Sequence, residues 1–253
     1  MSTTSGNYLK QAWHARERLY KELFGPHKCS LPKIYDVPKE AEAAEISSAQ
    51  ELTAALGKTL TEKDISILAH EPNEIHPYWT FATSGLSNPW FGQSDEVSGF
   101  GCELVLKTKN PGPWAWKLLR RLVYYIVSYS GTLSPGVMLQ FDARLFREGN
   151  SELSGIIVWY VDEAPECIYQ LPSGSFGIFS IIGVTADECA LIETIDKYGC
   201  WCVQQIIREN GFGQLTEPKR ESIMKGENID GKINSLRNYL ENFGFVPGVD
   251  SAM

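Results

Sequence analysis

His70 with His76, Cys200 with Cys202, and Ser173 with Ser175 are the residues of this chain whose types and spacing invite chemistry. Two histidines hold zinc from one helical face when they are four residues apart. Here they are six apart, about 240° around a helix, and Pro72 and Pro77 disfavour a helix there. The segment reads as a loop with two polar histidines. Cys200-Trp201-Cys202 is a C-x-C without a second cysteine or histidine pair nearby, so a structural zinc site lacks ligands. Buried thiols on a helix or at a strand end are the expectation. Ser173-Gly174-Ser175-Phe176-Gly177 lacks the glycine two residues before Ser175 that a nucleophile elbow requires, and its strand follows the serine instead of preceding it. Gly99-Phe100-Gly101 lacks the third glycine and the strand-before-helix context of a dinucleotide fingerprint. No catalytic residue, no metal ligand and no cofactor site is expected, and the chain reads as a non-enzyme.

The elements that would position these residues are legible in the patterning. Residues 7–24 predict a helix with Leu9, Trp13, Leu19, Leu23 and Phe24 on or near one face, closed by Gly25-Pro26. Residues 29–45 read as a poorly anchored connector, and Ser48 begins a short helix through Leu56. Ile65–Ala69 predicts a strand. Trp79, Phe81 and Thr83 alternate with Thr80, Ala82 and Ser84, a period of two. The most strongly patterned helix is 114–129, with Lys117, Arg120, Arg121, Tyr124 and Ser128 as one polar stripe. Strands are expected at 137–142, 155–161, 166–171 and 176–184. The last is nearly all apolar, as a strand covered on both faces would be. Thr185 and Glu188 have capping-box spacing for a helix to about Tyr198, and a final helix is expected at 231–243.

Charge is local. Glu148, Glu152, Asp162, Glu163, Glu166, Asp187, Glu188, Glu193 and Asp196 fall in a stretch without Lys or Arg. The other 22 acids (31 less these nine) nearly balance the 23 bases, although the whole chain is −8. Such a block would repel nucleic acid and attract a basic protein. No opening stretch joins basic residues to an apolar run, and the apolar helix candidate near Trp114 carries three cations and is too short for a bilayer. No membrane association is therefore expected. Scattered cysteines without an export signal favour free thiols and a cytoplasmic location.

Two stretches carry a family resemblance. The first is Tyr78-Trp79-Thr80-Phe81-Ala82-Thr83-Ser84-Gly85-Leu86-Ser87 with Ser98-Gly99-Phe100-Gly101-Cys102-Glu103-Leu104-Val105-Leu106. The second runs from Gly174 to Glu188. Together they resemble the Suppressor of Fused domain in its short bacterial form. The resemblance and the patterning predict an α+β fold: a mixed central sheet packed by helices, at 61–224, with helical extensions at 1–60 and 225–253. The resemblance implies a module that binds another protein or peptide, with an immunity role against a toxin domain, and the acidic block suits a cationic one. The alternative is an adaptor that adds a peptide strand around Phe81. It places Phe81 in a peptide groove and Glu103 opposite a partner's basic group. Trp79 and the carboxylates Asp162, Glu163 and Glu166 complete the expected partner-binding set.

Overall fold

The computed structural model describes residues 4–31, 65–89, 96–129, 133–141, 151–226 and 228–243. The helix expected after Ser48 and most of the 29–45 connector lie outside them.

Among the described residues, five helices accompany one mixed sheet. The helices are α1 (Thr4–Phe24), α2 (Pro113–Tyr129), α3 (Ala186–Ile195), α4 (Gly199–Glu209) and α5 (Ile229–Phe243). The strands are β1 (His27–Leu31), β2 (Ser66–His70), β3 (Trp79–Ser84), β4 (Val97–Thr108), β5 (Met138–Gln140), β6 (Leu153–Tyr160), β7 (Tyr169–Leu171) and β8 (Gly174–Thr185). Strand order is β1-β2-β3-β4-β8-β6-β5, with β7 paired to β8. β1 pairs antiparallel with β2, and β2 with β3. No described helix is long and apolar enough to cross a membrane.

Two compact units divide the chain: 1–105, 111–133 and 163–178 form one, and 106–110, 134–162 and 179–253 the other. In the first, α1 packs on β3 and β7, and α2 on β3. The buried face of α1 is Ala12, Arg16, Tyr20 and Phe24, at intervals of four. Leu9 and Trp13, expected on that face, are 39% and 42% exposed. The stripe runs one step round the helix from the expected one because an arginine, not a leucine, sits at its centre. α2 follows its expected pattern: Ala115, Leu118, Leu119, Leu122 and Ile126 are buried, with Lys117, Arg120 and Arg121 off that face.

In the second unit, Ile157, Trp159, Ile182 and Val184 of β6 and β8 meet Cys189 and Ile192 of α3 and Val203, Ile206 and Ile207 of α4. β8 is buried along nearly its whole length, as an apolar run implies. Its helix begins as the capping-box spacing requires. The Thr185 N–H donates to Glu188 Oε2 at 2.9 Å. The Thr185 hydroxyl turns instead to Asp187 Oδ1, 2.5 Å away. Burial alone would raise the Asp187 pKa, but hydrogen bonds from Thr185 and Ser222 hold it below the usual carboxylate value.

Two elements escaped the sequence pattern. β1 forms where the connector was expected to begin. α4 carries Cys200-Trp201-Cys202 on a helix, with both thiols buried.

Candidate functional site

Glu103 is the hub of the first unit. Its side chain is completely buried on β4. Oε1 accepts the Gly85 N–H at 2.9 Å, the Ser87 N–H at 3.0 Å and the Ser87 hydroxyl at 2.7 Å. Oε2 accepts the Thr83 hydroxyl at 2.6 Å. Thr83 Oγ1 in turn accepts the Leu104 N–H at 2.8 Å. Removing a carboxylate from water costs several kcal/mol, of order, unless its lone pairs and charge are matched. Here four donors match the lone pairs.

The matching charge comes from α1. Arg16 Nε lies 3.5 Å from Glu103 Oε1, and both side chains are wholly buried. The guanidinium spends its donors one by one: Nε on Ser84 Oγ at 3.1 Å, Nη1 on Ser87 Oγ at 3.0 Å and Nη2 on Asn88 Oδ1 at 2.9 Å. One helical turn on, Tyr20 donates its hydroxyl to the Thr83 carbonyl at 2.8 Å. Burial raises the Tyr20 pKa well above normal, so the phenol stays a donor.

The turn at 85–88 is closed onto β4. Phe100 N–H donates to the Leu86 carbonyl at 2.9 Å, and Ser98 Oγ to the Ser87 carbonyl at 2.6 Å. Gly99 is required by this approach. Its φ is +59°, and a Cβ there would stand 2.2 Å from the Asn88 carbonyl oxygen. Ser173 meets Ser98 at 2.5 Å. Both N–H and hydroxyl of Ser175 donate to the Glu96 carbonyl. The glycine-serine motifs thus lock backbone to backbone.

The expected partner-binding residues fare differently. Phe81 is 5% exposed, and Trp79 stacks on it at 6.2 Å between ring centroids while staying half-buried. β3 has β2 on one side and β4 on the other. A peptide strand therefore cannot add at Phe81, because the backbone groups it would use are already paired. Glu103, expected to face a partner, is turned inward and meets this chain's own Arg16. Glu163 accepts the Tyr78 hydroxyl and lies 3.8 Å from His76 Nδ1. Asp162, in the second unit, is 2.5 Å from Arg208 Nη2. Glu166 is exposed. The structure thus joins Trp79 with Phe81, and gives Glu103, Asp162 and Glu163 partners within the chain.

His70 is not a loop residue. It lies buried at the end of β2, its Nδ1 donating to the Gly25 carbonyl at 2.8 Å, with Phe24 and Tyr20 edge-on to its ring. Burial lowers its pKa to about 4. A neutral ring with Nδ1 protonated fits this geometry. His76 remains in the loop.

The second unit holds a similar lock that the sequence did not disclose. Arg220 grips Glu188 through Nη1 to Oε1 at 2.7 Å and Nη2 to Oε2 at 2.6 Å, both side chains fully buried. Glu188 Oε1 also accepts the Ile223 N–H at 2.8 Å. Lys107 Nζ donates to Gln214 Oε1 at 2.8 Å. The only signal for Arg16 was its position midway along an apolar column; Arg220 had none, because its partner is 32 residues away.

Comparison with known proteins follows the same lines. The family described as Suppressor of fused protein (SUFU) matches residues 61–221, more than half of the chain. No curated protein matches the sequence. Among solved structures, Drosophila Suppressor of Fused is similar at 18% identity with a TM-score of 0.56, over 70% of this chain and 46% of that one. The chain thus spans less than half the length of that relative. A Suppressor of fused homologue from Neisseria gonorrhoeae is similar at 13% identity with a TM-score of 0.55, over 86% of this chain and 97% of that one. A chain of the Sufu-Fu complex gives 16%, 0.52, 79% and 95%. At such identities the likeness is one of fold.

Proposed function

Because the chain belongs to the Suppressor of fused family, we propose that it is a non-catalytic module whose work is to bind another polypeptide. The finer reading is an immunity protein that neutralises a basic toxin domain by covering it. The observation that carries the binding role is the destination of the reactive groups. The serines, histidine and thiols whose spacing invited chemistry are buried or spent on holding the fold. The Ser87 hydroxyl donates to Glu103, the Ser98 hydroxyl to the Ser87 carbonyl, and Ser98 and Ser173 bond each other. His70 secures the Gly25 carbonyl. Burial pushes the Cys200 thiol up to about 12 and Cys202 to about 11, far from nucleophilic use.

The toxin reading rests on charge. Glu152, Glu166 and Glu193 are exposed in a stretch without cations, and exposed carboxylates steer a basic partner. A chain similar in fold belongs to a structure described as a complex of Sufu with Fu, in keeping with a role in protein binding.

The test is to purify the tagged full chain from its native organism and identify what comes with it. A stoichiometric basic protein, released by salt and bound more slowly by a Glu152→Lys/Glu166→Lys variant, supports the reading. Recovery of housekeeping background alone counts against it. A small-molecule turnover abolished by one polar substitution would end it.

A further inference from the structure

α1 carries a surface of the opposite sign to the acidic stretch. His14, Arg18 and Lys21 recur at steps of four and three, so they share one side of the helix. With Glu17, Pro26 and His27 they line an open groove of about 460 Å³. His14, Arg18, Lys21 and His27 are all exposed. Among the described residues no carboxylate lies within ion-pair distance of Arg18 or Lys21. Two permanent cations with no partner among the described residues thus stand beside a groove in a chain of net charge −8. The burial of Arg16 sharpens the contrast. That arginine is matched donor by donor inside the protein, while Arg18, about 200° around the same helix, is left to solvent.

We propose that this groove docks an extended, acidic peptide segment of a partner protein. From His14 to Lys21 the helix rises about 10 Å, the length of roughly three residues of extended chain. Carboxylates at alternate peptide positions are roughly 7 Å apart, a separation that two long, flexible cations at steps of three can both meet. Glu17 on the groove wall repels a carboxylate placed against it, which fixes where along the groove the acids can lie. An open groove suits a chain passing through better than an enclosed small molecule. A nucleic-acid strand is the poorer occupant: two permanent cations neutralise few phosphates, and the net charge repels the rest. This surface is independent of the toxin reading, whose partner is basic, so either can fail alone.

The probe is a fluorescein-labelled peptide of alternating serine and glutamate, titrated with the full chain in low salt and read by anisotropy. Saturable binding is expected, with Arg18→Glu/Lys21→Glu weakening it by at least about tenfold. A serine-glutamine peptide should not bind, and Lys219→Glu, an exposed charge in the other unit, should leave binding unchanged. Both groove side chains are exposed, so the double variant should melt with the parent; if it does not, Arg18→Gln/Lys21→Gln carries the same comparison. Absence of saturable binding overturns the proposal. So does equal binding by the charge-altered variants, or tighter binding of a thymidine oligonucleotide than of the peptide.

Discussion

Arg16 and Glu103, 87 positions apart in the chain, form a wholly buried pair with 3.5 Å between Nε and Oε1. Deleting one member leaves the other charged and dry, which typically costs about 3–5 kcal/mol. Arg16→Met should therefore lose a large share of the roughly 5–15 kcal/mol that holds a typical domain. Arg16→Met with Glu103→Gln should recover part of the loss, since a neutral amide needs no countercharge and its oxygen still accepts from the 85–87 turn. Urea denaturation of the parent and the two variants measures this. A loss under about 1 kcal/mol for Arg16→Met would mean that the pair is not held as described.

His70 makes stability depend on pH. Its pKa is about 4 in the folded chain, lowered by burial, and near 6.5 when unfolded. The unfolded state therefore binds the proton more readily between these values. Stability from this group is complete above about pH 6.5, falls as pH drops toward 4, and changes no further below it; the span is about 3 kcal/mol. Denaturation midpoints at several pH values should trace that slope, and His70→Gln should flatten it.

Phe81 and Trp79 separate packing from recognition. Phe81→Ala removes a 5%-exposed ring and should cost about 3–5 kcal/mol. Trp79→Ala strips the half-buried neighbour and should cost less. If this aromatic pair contacts a partner, Trp79→Ala weakens binding while the melting curve stays near that of the parent. Binding unchanged in that variant would assign both rings to packing.

Among the described cysteines, thiol reactivity should single out Cys167. It is exposed, whereas burial pushes Cys102 and Cys200 to about 12 and Cys189 and Cys202 to about 11. Native-state labelling with a disulfide reagent should give a fast phase that loses one equivalent in Cys167→Ser. The four buried thiols should react only on unfolding. Fast labelling of Cys200 or Cys202 would contradict the packing of α4.

Strand and helix periodicity made most of the fold legible. β3, β8 and α2 lie where alternation and apolar runs put them, and the Thr185–Glu188 spacing found its hydrogen bond. What escaped was set by partners distant in the chain. Nothing near residue 103 says that its carboxylate will meet an arginine from the first helix. β1 offers only Cys29 and Leu31 as apolar residues, too weak a pattern to read, and pairs with the edge that β2 provides. α4 opens on Gly199 and carries tryptophan, valine and isoleucine, modest helix formers, so packing against β6 and β8 decides its state. Family resemblance identified the motif but not its use: Gly99 and Ser87 close a turn, and the acid beside them points inward.

The helix that supplies Arg16 precedes the matched stretch of 61–221. The boundary drawn by kinship is thus not the boundary drawn by folding. A fragment trimmed to begin at residue 61 would keep the acid and discard its counter-ion. Fragments made for study, or fusions joined at that point, should start upstream of Thr4.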